Sequence, residues 1–248
     1  APAPRAVAAM TAMELRLALR RGENLFATIV IPTIVLVLFS SISMFPTGTS
    51  RQVDFLLPGT IALAIVATSL VSLGITTAYD RSYGVLKRLG GSPLSRGELV
   101  AARVLTVLII EAVQIALIVA VAVLALGWSP GPGASPVLAV GAVLLGTAAF
   151  AGQGLWMAGT LRAETVLALA NVLFLAFLVV GGIIVPIGQL PAPLAAVAAA
   201  LPAAPLSELL RIAFGAAPSG ADIVSPLVLL TAWAVALLGV ASARFRWE

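Results

Sequence analysis

Residues 79–103 read YDRSYGVLKRLGGSPLSRGELVAAR, and this stretch determines how the rest of the chain is interpreted. It carries seven charged residues, whereas the long segments on both sides are almost free of charge. Asp80 is placed to cap a helix of about nine residues, and Gly90-Gly91 is placed to end it. Ser95 and Glu98 form the S-x-x-E pattern that begins a second helix. The stretch is therefore predicted to be an ordered connector between two apolar helices.

Composition places these apolar helices in a membrane. Hydrophobic residues make up 61% of the chain and charged residues only 10%, whereas a soluble domain has about a quarter charged residues. A chain of 248 residues supplies about six spans of roughly 20 residues each, with no room for a separate soluble catalytic domain. We predict an all-α polytopic membrane protein, with residues 1–248 forming a single transmembrane domain.

Apolar runs and turn signals predict where the helices lie. Residues 1–23 are interpreted as an interfacial helix. The six spans are expected at residues 25–45, 59–78, 104–126, 137–160, 165–185 and 223–243. Pro58-Gly59 would open the second span, because proline is tolerated in a first helical turn, and Trp128 suits a membrane interface. Six prolines between residues 186 and 218 predict short re-entrant helices over residues 186–222, covered by protein or water.

The distribution of basic residues predicts the orientation. With both termini inside the cell, 12 of the 14 basic residues are cytoplasmic, and only Arg51 and Arg211 are outside. A seventh span within residues 186–225 would place Arg244 and Arg246 outside, and it is rejected for that reason. Both termini and residues 79–103 are therefore predicted to lie in the cytoplasm.

The sequence lacks the residue sets that are typical of enzymes. It contains no Cys and no His, which excludes thiolate and imidazole metal sites. Its single Lys, Lys87, precedes Arg88 instead of the Ser or Thr of a phosphate-binding loop. A membrane enzyme or an assembly protein is also considered, but no convergent acid–base or metal cluster supports an enzyme.

Polar residues inside the predicted spans have two interpretations. Glu111 and Gln114 lie one turn apart in the third span. An acid there is either functional, or it points toward the cytoplasmic interface or accepts a hydrogen bond from a neighbouring helix. Ser40, Thr68, Ser72 and Asn171 either support close helix packing or line a substrate path. Both interpretations stay open. Glu208 and Arg211, spaced i,i+3, are predicted to be an ordinary surface pair.

Three groups of residues resemble the type-2 permeases of ATP-binding-cassette exporters, which include exporters of antibiotics. The first is Leu57-Pro58-Gly59. The second is Gly84-Val85-Leu86-Lys87-Arg88-Leu89, followed by Ser92-Pro93-Leu94-Ser95. The third is Gly181-Gly182 with Pro186, then Leu190-Pro191 and Pro202. They occur in the family's order and cover most of the chain.

This resemblance implies a function without an ATPase site in the chain itself. A separate ATPase subunit, which holds ATP and Mg, would dock under a coupling helix at residues 82–92. The residues implied in that contact are Gly84, Val85, Leu86, Lys87, Arg88, Leu89, Ser92 and Pro93. The chain would bind no cofactor itself.

The resemblance also implies an assembly and a location. Two ATPase subunits and a second permease, identical or homologous, would complete the exporter in the bacterial cytoplasmic membrane. The first, second and fifth spans would form the permease interface, and residues 186–222 an extracellular gate. The expected cargo is an amphipathic drug or lipid-like molecule, with a cell-envelope polysaccharide or other glycan as the alternative. An ion-gradient-driven secondary carrier is the alternative of a different class, which the sparse intramembrane charge disfavours.

Overall fold

The computed structural model describes residues 3–20, 22–41, 51–91, 95–218 and 220–244. All regular elements in these ranges are helices, and no β-strand occurs within them. The α-helices are α1 Ala3–Arg20, α2 Gly22–Ser41, α3 Gln52–Ile65, α4 Leu73–Ser82, α5 Val85–Gly90, α6 Arg96–Leu126, α7 Pro136–Thr160, α8 Ala163–Val180, α9 Ala192–Ala200, α10 Ala203–Ala213 and α11 Val224–Arg244. A π-helical segment, Val66–Ser72, joins α3 to α4, and a short 3-10 helix, Ile187–Gln189, precedes α9.

Several of these helices are suited to cross a membrane. Within the described ranges, five qualify by length and apolar character: Gln52–Ser82, Gly97–Leu126, Pro136–Thr160, Ala163–Val180 and Val224–Ala243. A sixth is added if α9 and α10, bent by 78° relative to each other, form one span. The apolar part of α2, Val30–Ser41, is shorter than the five helices that qualify as spans. The all-helical, multi-pass architecture is confirmed, whereas an interfacial α1 and re-entrant α9 and α10 stay predictions.

The second predicted span is longer than its apolar core. The helix runs without a break from Gln52 to Ser82, so it begins seven residues before the expected start at residue 59. Pro58 therefore lies in the helix interior and not in its first turn. The extension is held by Arg51, which donates to the carbonyl of Gly127 at 2.7 Å and pairs with Asp54. Polar anchoring of this end, which a hydropathy pattern does not register, explains the difference.

The fifth predicted span is shorter than expected. α8 ends at Val180, five residues before the expected end, because Gly182 adopts a φ of 68° that interrupts the helix. The carbonyl of the next residue, Ile183, lies so close to Gly59 that a side chain on Gly59 would collide with it. Two of the three sequence groups that carry the family resemblance therefore meet in space.

Helix α7 forms the centre of the bundle, where it packs against α4, α10 and α11. Two glycines allow this close packing. A Cβ on Gly152 would lie 2.7 Å from the backbone nitrogen of Leu238, and a Cβ on Gly154 would lie 2.9 Å from the carbonyl oxygen of Leu70. On another face, Phe150 packs edge-on against Phe177 of α8, with ring centroids 5.4 Å apart. Small residues thus let the helix backbones approach, as is common in membrane proteins.

The end of the bundle that holds α10 corrects two predictions. Trp128 is buried and packs edge-on against Phe214, with centroids 5.5 Å apart, so it does not face the membrane interface. Arg211 is not limited to a surface pair with Glu208. Its guanidinium lies 3.9 Å from the centre of the Phe55 ring and donates to the carbonyl of Gly182. Both side chains instead bind α10 to the neighbouring segments.

The chain termini and the first predicted span are described in part. Helix α1 packs against α6, where the Thr11 hydroxyl donates to the carbonyl of Ala102 at 3.4 Å. Helix α2 covers the predicted first span up to Ser41, and residues 42–50 lie outside the described residues. The last predicted span, 223–243, corresponds to α11. The contact between α1 and α6 places α1 at the same end of the bundle as α5.

Candidate functional site

The predicted coupling segment contains a short helix between two long ones. Helix α5 has six residues, Val85–Gly90, instead of about nine, and its N-cap residue is Gly84 with a φ of 71°. This left-handed conformation is readily adopted only by glycine. Asp80 does not cap α5, because it lies inside α4. The helix ends at Gly90 as the Gly-Gly pair predicts, whereas Ser92 and Pro93 lie outside the described residues.

The two faces of α5 differ. Leu86 is completely buried and Leu89 is half-buried, whereas Lys87 and Arg88 are exposed. Leu86 belongs to a small apolar cluster with Met10 of α1, Leu73 of α4 and Leu99 of α6, among others. Val85, also predicted in the contact, is exposed. One side of α5 is thus anchored in the bundle, and the opposite side presents basic side chains outward.

A buried arginine connects the helices beneath α5. Arg103 of α6 is 3% exposed. Its guanidinium donates to Asp80 at 2.6 Å and to Thr77 at 2.8 Å, both on α4. Its Nε also lies 3.4 Å from a carboxylate oxygen of Glu14 on α1. This charged cluster, Glu14–Asp80–Arg103, therefore ties together three helices.

The charged cluster is not predicted by the sequence patterns. These patterns place Asp80 at a helix cap and count Arg103 only among the basic residues that set the orientation. The available signal was the opposite charge of Asp80 and Arg103, each at the end of a long apolar helix where the two ends must meet. Burial raises the pKa of Glu14 above its ordinary value, and the positive charge of Arg103 opposes that rise. Glu14 therefore lacks the full solvation of an ordinary surface carboxylate.

The start of α6 confirms the predicted capping box. The Ser95 hydroxyl accepts from the backbone N–H of Glu98 at 3.3 Å, and the Glu98 carboxylate accepts from the backbone N–H of Ser95 at 2.7 Å. This reciprocal pair satisfies two backbone donors that a helix otherwise leaves without partners. The cap fixes where α6 begins, and hence where Arg103 stands relative to α4.

A second polar cluster lies in the middle of the bundle. Glu111 is fully buried and accepts hydrogen bonds from Ser69, at 2.5 Å, and from Thr147 of α7. One turn away, the side-chain oxygen of Gln114 accepts from Thr68 at 3.0 Å. Both Thr68 and Ser69 lie in the π-helical segment, a geometry that is often found at functional sites. The structure therefore connects the predicted intramembrane polar pair to two neighbouring helices.

The structure does not bring the four predicted path residues into one cavity. Thr68 and Ser72 lie near each other in the π-helical segment, and both line a cavity of about 200 Å³ beside α1 and α5. Ser40 is half-buried on α2. Asn171 is exposed on α8, where its amide donates to the carbonyl of Leu167 at 2.7 Å. A larger cavity of about 970 Å³ lies at the other end of the bundle, between α3, α10 and the turn after α6.

Comparison with protein families gives one match of decisive length. The model for the ABC-2 type transporter family matches residues 5–214, which include both polar clusters and helix α5. The chain belongs to the ABC-2 type transporter family. No curated protein shows a significant match to it. An ABC-2 permease is the membrane subunit of an ABC transporter and works with an ABC ATPase subunit, so the chain is a multi-pass transport permease.

Proposed function

We propose that the chain is the transmembrane subunit of an exporter that moves an amphipathic drug-like or lipid-like molecule out of a bacterial cell. A separate ATPase, which holds ATP and Mg, would supply the energy through α5. The observation that carries this proposal is the two-sided character of α5. Its buried Leu86 fixes the helix to the bundle, while its exposed Lys87 and Arg88 lie on the opposite face, which an ATPase would meet.

The contacts behind α5 suggest how a push on it would travel. Displacement of Leu86 would press on the apolar cluster that includes Leu73 of α4 and Leu99 of α6. Arg103 links α6 to α4 through Asp80, so these two long helices would move together. Further along the same helices, Glu111 is hydrogen-bonded to Ser69 and to Thr147 of α7. A contiguous set of packed and hydrogen-bonded groups of this kind can carry coupling between distant sites.

The outward face of α8 supports a second permease subunit. Val172, Leu175 and Val179 are more than half exposed there, as is expected for a surface that meets lipid or protein. The exposed amide of Asn171 lies beside them, and a polar group of this kind is unfavourable against lipid tails. We therefore infer that α8, together with α2, lies at an interface with an identical or homologous permease. The second span, which the resemblance also assigned to this interface, is mostly buried within the chain and would contribute little to it. Helices α9 and α10 would form a gate on the outer side.

The cargo class is supported by the smaller cavity. Its walls combine apolar side chains such as Met13 and Leu17 with hydroxyl and charged groups such as Ser72 and Glu14. This mixture fits a small molecule with an apolar body and a polar end better than it fits a uniformly hydrophilic glycan chain. Export of a cell-envelope glycan is thus the second choice. An ion-gradient-driven carrier is set aside because ABC-2 permeases work with an ATPase.

Charge reversal on α5 tests the function. We expect Lys87→Glu combined with Arg88→Glu to abolish co-purification with the ATPase and ATP-driven transport in vesicles, while the variant still inserts and purifies. Arg162→Glu is the matched control, because Arg162 is an exposed basic residue that lies outside α5, in the turn before α8. Unchanged ATPase binding and transport in the double variant would disprove the proposed role of α5.

Cysteine labelling tests the sidedness. Because the chain contains no Cys, a single introduced cysteine gives an unambiguous signal. Lys87→Cys should react with a membrane-impermeant maleimide only after the cells are permeabilised. Ser129→Cys, in the exposed turn after α6, should react in intact cells. The reverse pattern would invert the proposed orientation.

A further inference from the structure

The cavity beside α1 is the feature of the molecule that the coupling role leaves unexplained. It has a volume of about 200 Å³ and lies between α1, the π-helical segment with α4, α5 and α6. An engineered apolar cavity of about 150 Å³ already binds benzene, so a single ring or an alkyl chain fits inside. Met13 and Leu17 of α1 line it and remain 45% and 46% exposed, so a ligand could extend outward along α1.

The charge of the cavity wall has a definite sign. Glu14, Asp80 and Arg103 are the charged groups among the described residues that line it, which leaves one negative charge in excess when all three are ionised. The basic residues of α5, Lys87 and Arg88, lie on the exposed face of that helix. The cavity therefore presents an excess carboxylate next to apolar walls.

Glu14 is held less closely by Arg103 than Asp80 is. Asp80 accepts a direct hydrogen bond from Arg103 at 2.6 Å. Glu14 lies 3.4 Å from the Nε of Arg103, a buried nitrogen that makes no hydrogen bond within the described part of the chain, and Glu14 also interacts with the Thr106 side chain. Burial nevertheless raises the pKa of Glu14, because its negative charge is poorly solvated. A cation in the cavity would add to the compensation that Arg103 and Thr106 supply.

We propose that this cavity binds an amphipathic organic cation, with its positive group beside Glu14 and its apolar body between α1 and the π-helical segment. The hydroxyls of Thr68, Ser72 and Thr76 line the wall that such a body would follow toward the middle of the bundle. That the bound cation is also the cargo rests on the exporter function proposed above. The site itself does not depend on that function.

Benzyltrimethylammonium is a suitable probe, because it is a permanent cation with one apolar ring, and phenylmethanesulfonate has a similar shape with the opposite charge. Binding to the full chain in detergent micelles would be measured by equilibrium dialysis against empty micelles. We expect saturable binding that phenylmethanesulfonate does not displace. Glu14→Gln should weaken it about tenfold, since it removes a charge from a partly shielded site. Glu164→Gln removes an exposed carboxylate on α8 and should leave binding unchanged.

A second variant separates ligand binding from damage to the fold. Ser72→Leu fills the cavity and leaves the charged cluster in place, and it should weaken binding at least as much as Glu14→Gln. Absence of saturable binding, binding as strong as that of the wild type in either variant, or displacement by phenylmethanesulfonate would overturn the proposal. Displacement by phosphatidylethanolamine but not by phosphatidylglycerol would support the same cation chemistry and assign it to a lipid headgroup.

The exporter function is measured separately, as ATP-driven uptake into inverted vesicles with the ATPase present. Uptake of another compound without benzyltrimethylammonium binding would reject the cation site and leave the exporter function intact. Binding of benzyltrimethylammonium to a chain that never associates with an ATPase would support the site and reject the exporter function.

Discussion

The two ends of the bundle each hold a largely buried arginine, but they hold it by different contacts. At the α5 end, Arg103 of α6 lies between the carboxylates of Asp80 and Glu14, which belong to two other helices. At the α10 end, Arg211 is held by the Phe55 ring and the carbonyl of Gly182, and its nearby carboxylate, Glu208, belongs to the same helix. The ion pairs of Arg103 join three different helices. The contacts of Arg211 are made with a backbone carbonyl and a ring, whose positions are set by the surrounding helices.

The backbone packing differs in the same direction. At the α10 end, the N–H of Gly131 donates to the carbonyl of Phe214 at 2.9 Å, and Gly131 and Gly215 are in such close contact that neither could carry a side chain without displacement. At the α5 end, α1 is joined to α6 through side chains, such as the Thr11 hydroxyl that donates to the carbonyl of Ala102. The comparison indicates that the α5 end is joined mainly through side-chain contacts and the α10 end also through direct backbone contacts.

Removal of Arg103 should have the largest effect on stability. Arg103→Met leaves two carboxylates without their partner, and the loss of one member of a buried ion pair typically costs about 3–5 kcal/mol. Arg103→Lys keeps the charge but loses the forked geometry, so it should fall between the wild type and Arg103→Met. Thermal unfolding in detergent measures all three proteins. Equal midpoints would show that the charged cluster does not hold the α5 end together.

Close packing at the α10 end is tested at Gly59. Gly59→Val places a side chain against the carbonyl of Ile183, and over-packing of this kind costs about 1–3 kcal/mol. Gly141→Ala is the control, because nothing lies within 4 Å of a Cβ at Gly141. That change should be neutral or stabilising by up to about 1 kcal/mol, the difference in helix propensity. If the two variants unfold at the same temperature, the contact between α3 and the Gly-Gly break is not tight.

Glu111→Gln should have a smaller effect, because the amide keeps one acceptor for the hydroxyls of Ser69 and Thr147. The loss of one neutral hydrogen bond costs about 1 kcal/mol. We expect ATP-driven transport to persist while the unfolding midpoint falls slightly. Loss of transport at unchanged stability would instead give Glu111 a role in the transport cycle, and the polar cluster would then be more than a packing device.

Local signals of the sequence predicted the elements but not the partners of their side chains. The capping box at Ser95 and the Gly-Gly end of α5 depend on residues within one turn of the chain, so they could be recognised directly. Asp80 and Arg103 bind each other although they are 23 positions apart, and their further partner Glu14 comes from a third helix. Such contacts depend on how helices pack, which hydropathy and periodicity do not specify. For the same reason, the apolar pattern of the second span did not reveal its polar extension to Gln52.

The smallest expected effects concern pH, and they have opposite signs at the two ends. Asp222, before α11, has a lowered pKa because the Ser225 hydroxyl and the backbone N–H groups of Ser225 and Val224 donate to its carboxylate. The contribution of Asp222 to the free energy of unfolding is present above its ordinary pKa of 3.8 and is lost as the pH falls through the folded-state value.

Glu14 has a raised pKa, so its contribution to the free energy of unfolding is present below its ordinary pKa and is lost as the pH rises through the folded-state value. Asp222→Asn should therefore reduce the acid sensitivity of the unfolding midpoint, whereas Glu14→Gln should reduce its decline above the ordinary pKa of 4.5. Shifts of the same sign in both variants would contradict the contrast between an under-solvated carboxylate at the α5 end and a well-solvated one at the other.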